Sequence, residues 1–121
     1  MPIYTRSITI PKSTAAASPY SEVINPGEGI VTRVWVRFPR GCAGLVGVRL
    51  LDRSSQFAPL PAPGWLVADG ETIDWIENRR LMGGPWIVTV EGYNTDTIYP
   101  HTLQVVLTCN NENYWDGRGV Y

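Results

Sequence analysis

Few residues in this chain of 121 carry groups suited to making and breaking bonds. Nucleophilic catalysis needs a base, usually histidine, beside a Ser or Cys. The one histidine, His101, follows Pro100 and alternates with Leu103 in an apolar run, the setting of a structural ring near the rim of a core. Cys42 has no neighbouring Cys or His at a zinc-type spacing. Cys109 shares the alternation of Leu103, Val105 and Leu107, as an inert core thiol does. No pattern supports a bridge between the two cysteines. The densest acids are Asp69, Glu71, Asp74 and Glu77. On one face of an extended strand, Glu71 and Glu77 lie about 20 Å apart at ~3.3 Å per residue. A glycosidase pair needs about 5–9.5 Å, and the spacing is not that of a calcium loop either. Gly41, Gly44 and Gly47 repeat every three residues but precede neither a helix nor a lysine, so they build no phosphate cradle. The residues imply no catalytic set, no metal site and no cofactor, and the expectation is a non-enzymatic protein.

The pattern that points to binding is Arg33–Trp35–Arg37, two guanidinium groups flanking an indole on one side of a strand. Such a face suits a protein interface, where Arg, Trp and Tyr are enriched and Lys is depleted. It equally suits stacking against a base or a sugar. Composition leans the same way. Nine of the ten basic residues are arginine, and there are five tryptophans and six tyrosines. Arg-rich codon usage accounts equally well for the Arg/Lys ratio taken alone. With ten basic and eleven acidic residues the net charge is -1, which argues against nucleic acid as a partner. No apolar run approaches the ~20 residues of a membrane-spanning helix, and the start, MPIYTRSITI, lacks the layout of a secretory signal.

The elements that must position this face are strands. Hydrophobic residues make up 44% of the chain, enough for one core, and twelve Gly and ten Pro divide it into short runs. Strands are expected at residues 3–10, 29–38, 43–51, 65–68, 71–77, 86–93 and 99–109. Side chains alternate across a strand. Ile30, Thr32, Val34, Val36 and Phe38 therefore form the core face, while Val31, Arg33, Trp35 and Arg37 form the outer one. Gly44 and Gly47 within a strand mark a bulge or a close backbone approach. Trp75 and Trp86 are the tryptophans expected to serve the core. The Pro-rich stretch 56–64 reads as a long crossover, and residues 78–84 as a connection. Seven or eight short strands divided by turns predict an all-β fold, a single antiparallel β-sandwich with jelly-roll or Greek-key connections. It spans residues 1–109 and has a small-residue loop or arm at 12–22. Residues 110–121 form an aromatic tail carrying Tyr114, Trp115 and Tyr121, which either folds back on the sandwich or docks on a neighbouring subunit.

The runs PGEGIVTRVWVRFPRGCAGLVGVRLLD, GWLVADGETIDW and GPWIVTVEGYNTDTIYPHTLQVVLT together resemble small all-β virion proteins of tailed bacteriophages. These are head-decoration, cement and neck-associated proteins. The three runs make up about half of the chain, and the likeness rests on overall pattern and on phrases such as VWVRFP and YPHT. The resemblance implies a structural role in the virion, assembled in the host cytoplasm. Its partners would be a major capsid or neck protein and further copies of the same chain, a homo-oligomer. The contacts would fall on Arg33, Trp35 and Arg37 and on Tyr114, Trp115 and Tyr121. The alternative expectation is a carbohydrate-binding β-sandwich module of the phage-adhesin type.

Overall fold

The computed structural model describes residues 3–26, 30–62, 64–81 and 87–110. Among these residues the chain forms nine strands: β1 (Ile3–Ile10), β2 (Tyr20–Ile24), β3 (Ile30–Arg37), β4 (Val46–Asp52), β5 (Ser55–Ala58), β6 (Leu66–Val67), β7 (Thr72–Arg80), β8 (Val88–Asn94) and β9 (His101–Asn110). The β-branched alternation of Val34 and Val36, or of Val88 and Val90, suits a pleated sheet buried on one side. One sheet has the order β1-β9-β3-β7, and the other has β2-β8-β4-β5 with β6 also paired to β4. Every pairing is antiparallel. The chain enters the first sheet at β1, crosses to the second at β2, and returns at β3, β7 and β9. That repeated crossing makes the sandwich a jelly roll.

The core lies between the sheets. Ile8, Ile10, Val34, Val36, Phe38, Leu103, Val105 and Leu107 from the first sheet pack with Val46, Val48, Leu50, Val88 and Val90 from the second. Burying a side chain of this size contributes about 1.5–3 kcal/mol. Two strand glycines have packing reasons. A Cβ on Gly92 would collide with Ile10, and one on the outward Gly47 would collide with the ring of Tyr93. The close approach expected at Gly47 is thus present.

Several elements differ from the sequence reading. Residues 20–22, expected in a loop or arm, belong to β2, which pairs with β8 from Tyr20 opposite Gly92 to Ile24 opposite Val88. Thr14 also bridges Asn94. Gln56 to Ala58 form β5 against β4, so the crossover begins only at Pro59. Residues 78–80 extend β7 instead of connecting. Val31, expected outside, is fully buried, because the ladder slips between Val31 and Arg33. One extra residue in a strand reverses which face its neighbours present.

Both open edges of the sandwich are bridged by ion pairs. Arg6 on β1 reaches Glu22 on β2 at 3.1 Å, and Tyr20 donates to the same carboxylate at 2.9 Å. At the opposite edge Arg79 on β7 reaches the buried Asp52 at the end of β4. One end of the sandwich is gathered by the buried Asn94. Its amide donates to the carbonyls of Ile10 (3.1 Å) and Tyr99 (3.0 Å), while its backbone exchanges bonds with Thr14.

Candidate functional site

The outer face of the first sheet is built by register. Across it run three rows: Ile3–Thr108–Arg33–Ile76, Thr5–Val106–Trp35–Asp74, and Ser7–Gln104–Arg37–Thr72. The alternation of β3 therefore places Arg33, Trp35 and Arg37 together on the outside, as expected. Arg33 and Arg37 are exposed, and Trp35 is half-buried. Val106 also points outward yet is only 4% exposed. Its direct neighbours in the row are Thr5 and Trp35. Ile3 and Ile76 stand at the corners of the face, Ile76 with 83% of its surface in solvent. An apolar centre with polar and charged groups around it is the usual composition of a docking surface.

The two arginines differ. Arg33 donates from Nε to Oδ1 of Asp74 at 2.9 Å and from Nη2 to Oδ2 at 2.5 Å, a two-bond fork across the diagonal between β3 and β7. The hydrogen bonds hold the Asp74 carboxyl below its usual pKa and raise that of Arg33, with the mutual charge attraction adding to both shifts. Arg37 makes no ion pair among the described residues. Asp74, one of the cluster of acids noted in the sequence, is thus the counter-ion of one expected binding residue.

On the outer face of the second sheet, one cluster of side chains pairs within itself. Arg49 bonds Glu91 at 2.8 Å through Nε. Its guanidinium lies 4.3 Å from the centre of the Trp65 ring. Trp65 in turn meets Tyr93 edge-on at 4.9 Å between centroids. These groups satisfy one another and leave less to offer a partner than Trp35 and Arg37 do.

Two concavities flank the first sheet. A groove of about 320 Å³ opens at the β7 edge, lined by Phe57, Ala58, Pro59, Leu60, Leu66, Trp75 and Glu77. Trp75, expected to serve the core, packs against it but is only half-buried and lines this groove, because β7 is an edge strand with no further strand of its sheet beside it among the described residues. Its indole donates to Glu77 at 2.6 Å. A notch of about 260 Å³ lies at the far end of the outer face, lined by Ser7, Arg37, Pro39, Thr102, Leu103 and Gln104.

The other chemistry-bearing residues have structural surroundings. His101 lies 2.9 Å from Oδ2 of Asp96. Asp96 Oδ1 accepts from the backbone of Ile98 at 2.8 Å and of Tyr99 at 3.2 Å, and these bonds, that of Ile98 first, hold its carboxyl below the usual value. Cys42 and Cys109 are both buried and free. Burial pushes the Cys109 thiol up to about 11 and raises Cys42 as well, with a smaller contribution from Asp69. Among the described residues, no three His, Cys, Asp or Glu side chains converge as a metal site. Tyr114, Trp115, Tyr121 and Trp86 lie outside the described residues. Sequence reasoning missed the Arg49–Trp65–Tyr93 cluster and the groove, since both join segments far apart in the chain.

No family model and no curated protein sequence matches the chain. A solved structure titled Crystal Structure of FeII HppE aligns at 7% identity with a TM-score of 0.46, over 88% of this chain and 43% of that one. A likeness of that size carries no argument about function.

Proposed function

We propose that this chain is a non-enzymatic structural protein of a tailed-phage virion, which docks on the capsid or neck lattice through the outer face of its β1-β9-β3-β7 sheet. The observation that carries the reading is the row Val106–Trp35–Asp74, flanked by Arg33 and Arg37. It sets a large indole in the middle of the face, with the Arg33–Asp74 pair beside it on one side and Arg37 on the other. Large aromatic anchors at the centre of a contact supply most of its free energy, and Arg pairs with carboxylates of the partner. The resemblance of the three sequence runs to phage head and neck proteins supplies the setting, and jelly rolls are frequent in viral shells.

The test is quantitative mass spectrometry of virions purified from the phage whose genome encodes the chain. A fixed copy number per particle supports the proposal, with incorporation reduced tenfold or more by Trp35→Ala. Absence from purified virions overturns it.

A further inference from the structure

We infer that the notch beside Arg37 is a binding site for a single acidic sugar, with Arg37 taking the carboxylate. The inference rests on the reading above that the outer face of the first sheet is the working surface, and it names a ligand class for that surface.

The notch has a topological cause. Gln104, opposite Arg37, is the last residue of β9 in register with β3. β3 stops there because Pro39 has no N–H to continue the ladder. β9 and β1 run on together to His101 and Ile10. The outer face therefore loses one strand beyond Arg37, and a step forms with Leu103 in its lining. Its polar lining residues are Ser7, Thr102, Gln104 and Arg37. The Thr102 hydroxyl already bonds that of Thr9 at 2.8 Å, and a hydroxyl so placed keeps capacity for a further bond.

Charge decides the ligand class. Of the two β3 arginines on this face, Arg33 is already neutralised by the fork to Asp74. Arg37 has Thr72 and Gln104 as its direct neighbours across the sheet, neither of them charged. The fork of Arg33 displays on the same face the geometry in which a guanidinium holds a planar carboxylate. The other lining residues are Ser7, Thr102 and Gln104, whose hydroxyl and amide groups suit the hydroxyls of a sugar ring, and the apolar Pro39 and Leu103. Its volume of about 260 Å³ falls below the ~300–1,000 Å³ of pockets that enclose drug-sized ligands. It suits one pyranose.

The experiment is a titration of the isotope-labelled full chain with sodium glucuronate, followed by amide chemical shifts. Glucose and acetate at the same millimolar concentrations are the comparators. The expected result is saturable shifts centred on Ser7, Thr102 and Gln104 with glucuronate, and a Kd at least tenfold weaker for either comparator. Arg37→Gln should weaken glucuronate tenfold or more while the rest of the spectrum keeps its native dispersion. Gln104→Ala should weaken it severalfold. Absence of saturable shifts with glucuronate overturns the assignment. So does equal binding of acetate, which would mean an exposed arginine and no pocket, or equal binding of glucose, which would mean that the charge is idle. These outcomes are separate from the virion test: failure of the titration with Trp35→Ala still lowering incorporation removes the sugar site alone, and saturable glucuronate binding by a chain absent from virions removes the docking role alone.

Discussion

Arg79 and Asp52 belong to different sheets and meet across one open edge of the sandwich, with Nε and Nη2 of the arginine 3.1 and 3.0 Å from the same carboxylate oxygen. The carboxylate is fully buried, and the guanidinium also lies 5.6 Å from the centre of the Phe57 ring. Removing the arginine leaves a buried charge without this counter-ion, which typically costs 3–5 kcal/mol. Arg79 is partly exposed, which places Arg79→Ala at the lower end, about 3 kcal/mol. Chemical denaturation should show the midpoint falling with an unchanged slope.

The equivalent pair at the other edge is weaker. Arg6 and Glu22 keep 42% and 23% of their side-chain surfaces in solvent. Exposed pairs contribute about 0–1 kcal/mol, so Arg6→Ala should shift the midpoint by no more than that. The two variants measured side by side test whether burial, and not the count of ion pairs, sets the strength of each edge.

Gly47 and Tyr93 form a coupled pair. The ring of Tyr93 occupies the space that a side chain at Gly47 would need. Gly47→Ala should destabilise by about 1–3 kcal/mol through overpacking. It should also disturb the contact of Tyr93 with Trp65, visible in near-UV circular dichroism. In combination with Tyr93→Ala the substitution should cost much less than alone, which a double-mutant cycle measures directly.

Cys109 sets an alkaline limit. Its thiol is held near 11 by burial, against an ordinary value of 9.0. Below 9 the thiol is protonated in both folded and unfolded chains. Above 9 the unfolded chain ionises first, so stability falls as pH rises from about 9 toward about 11. Cys109→Ser should shift that limb, read from denaturation midpoints between pH 8 and 11. Both thiols should stay unreactive toward a disulfide reagent at pH 8 until the chain is unfolded.

Asp96 sets an acid limit. Its carboxyl is depressed chiefly by the Ile98 amide, then by His101 and the Tyr99 amide. Its contribution is present above the ordinary carboxylate range and disappears as pH falls through the lowered value. Asp96→Asn keeps an acceptor for the amides of Ile98 and Tyr99, and Asp96→Ala removes it. Hydrogen exchange at those two amides should therefore accelerate more in the alanine variant than in the asparagine one.

Alternation alone determined much of this protein. Val34, Val36 and Phe38 point inward and Arg33, Trp35 and Arg37 point outward because side chains change face at every residue of a strand. The all-β class and the closely spaced glycine and proline turns follow from the same local rules. What the tertiary structure decided are pairings between distant segments. Asp74 neutralises Arg33 from 41 residues away and leaves Arg37 available. Asp52 meets Arg79, and Asn94 ties Ile10 to Tyr99. The slip after Val31 sends that residue inward against its local pattern, because the ladder with β7 and β9 shifts there. Local sequence carries the period of a strand, but the identity of its neighbour is set by the way the two sheets close over a shared core. The charge balance of the face and the notch beside Arg37 are consequences of that closure.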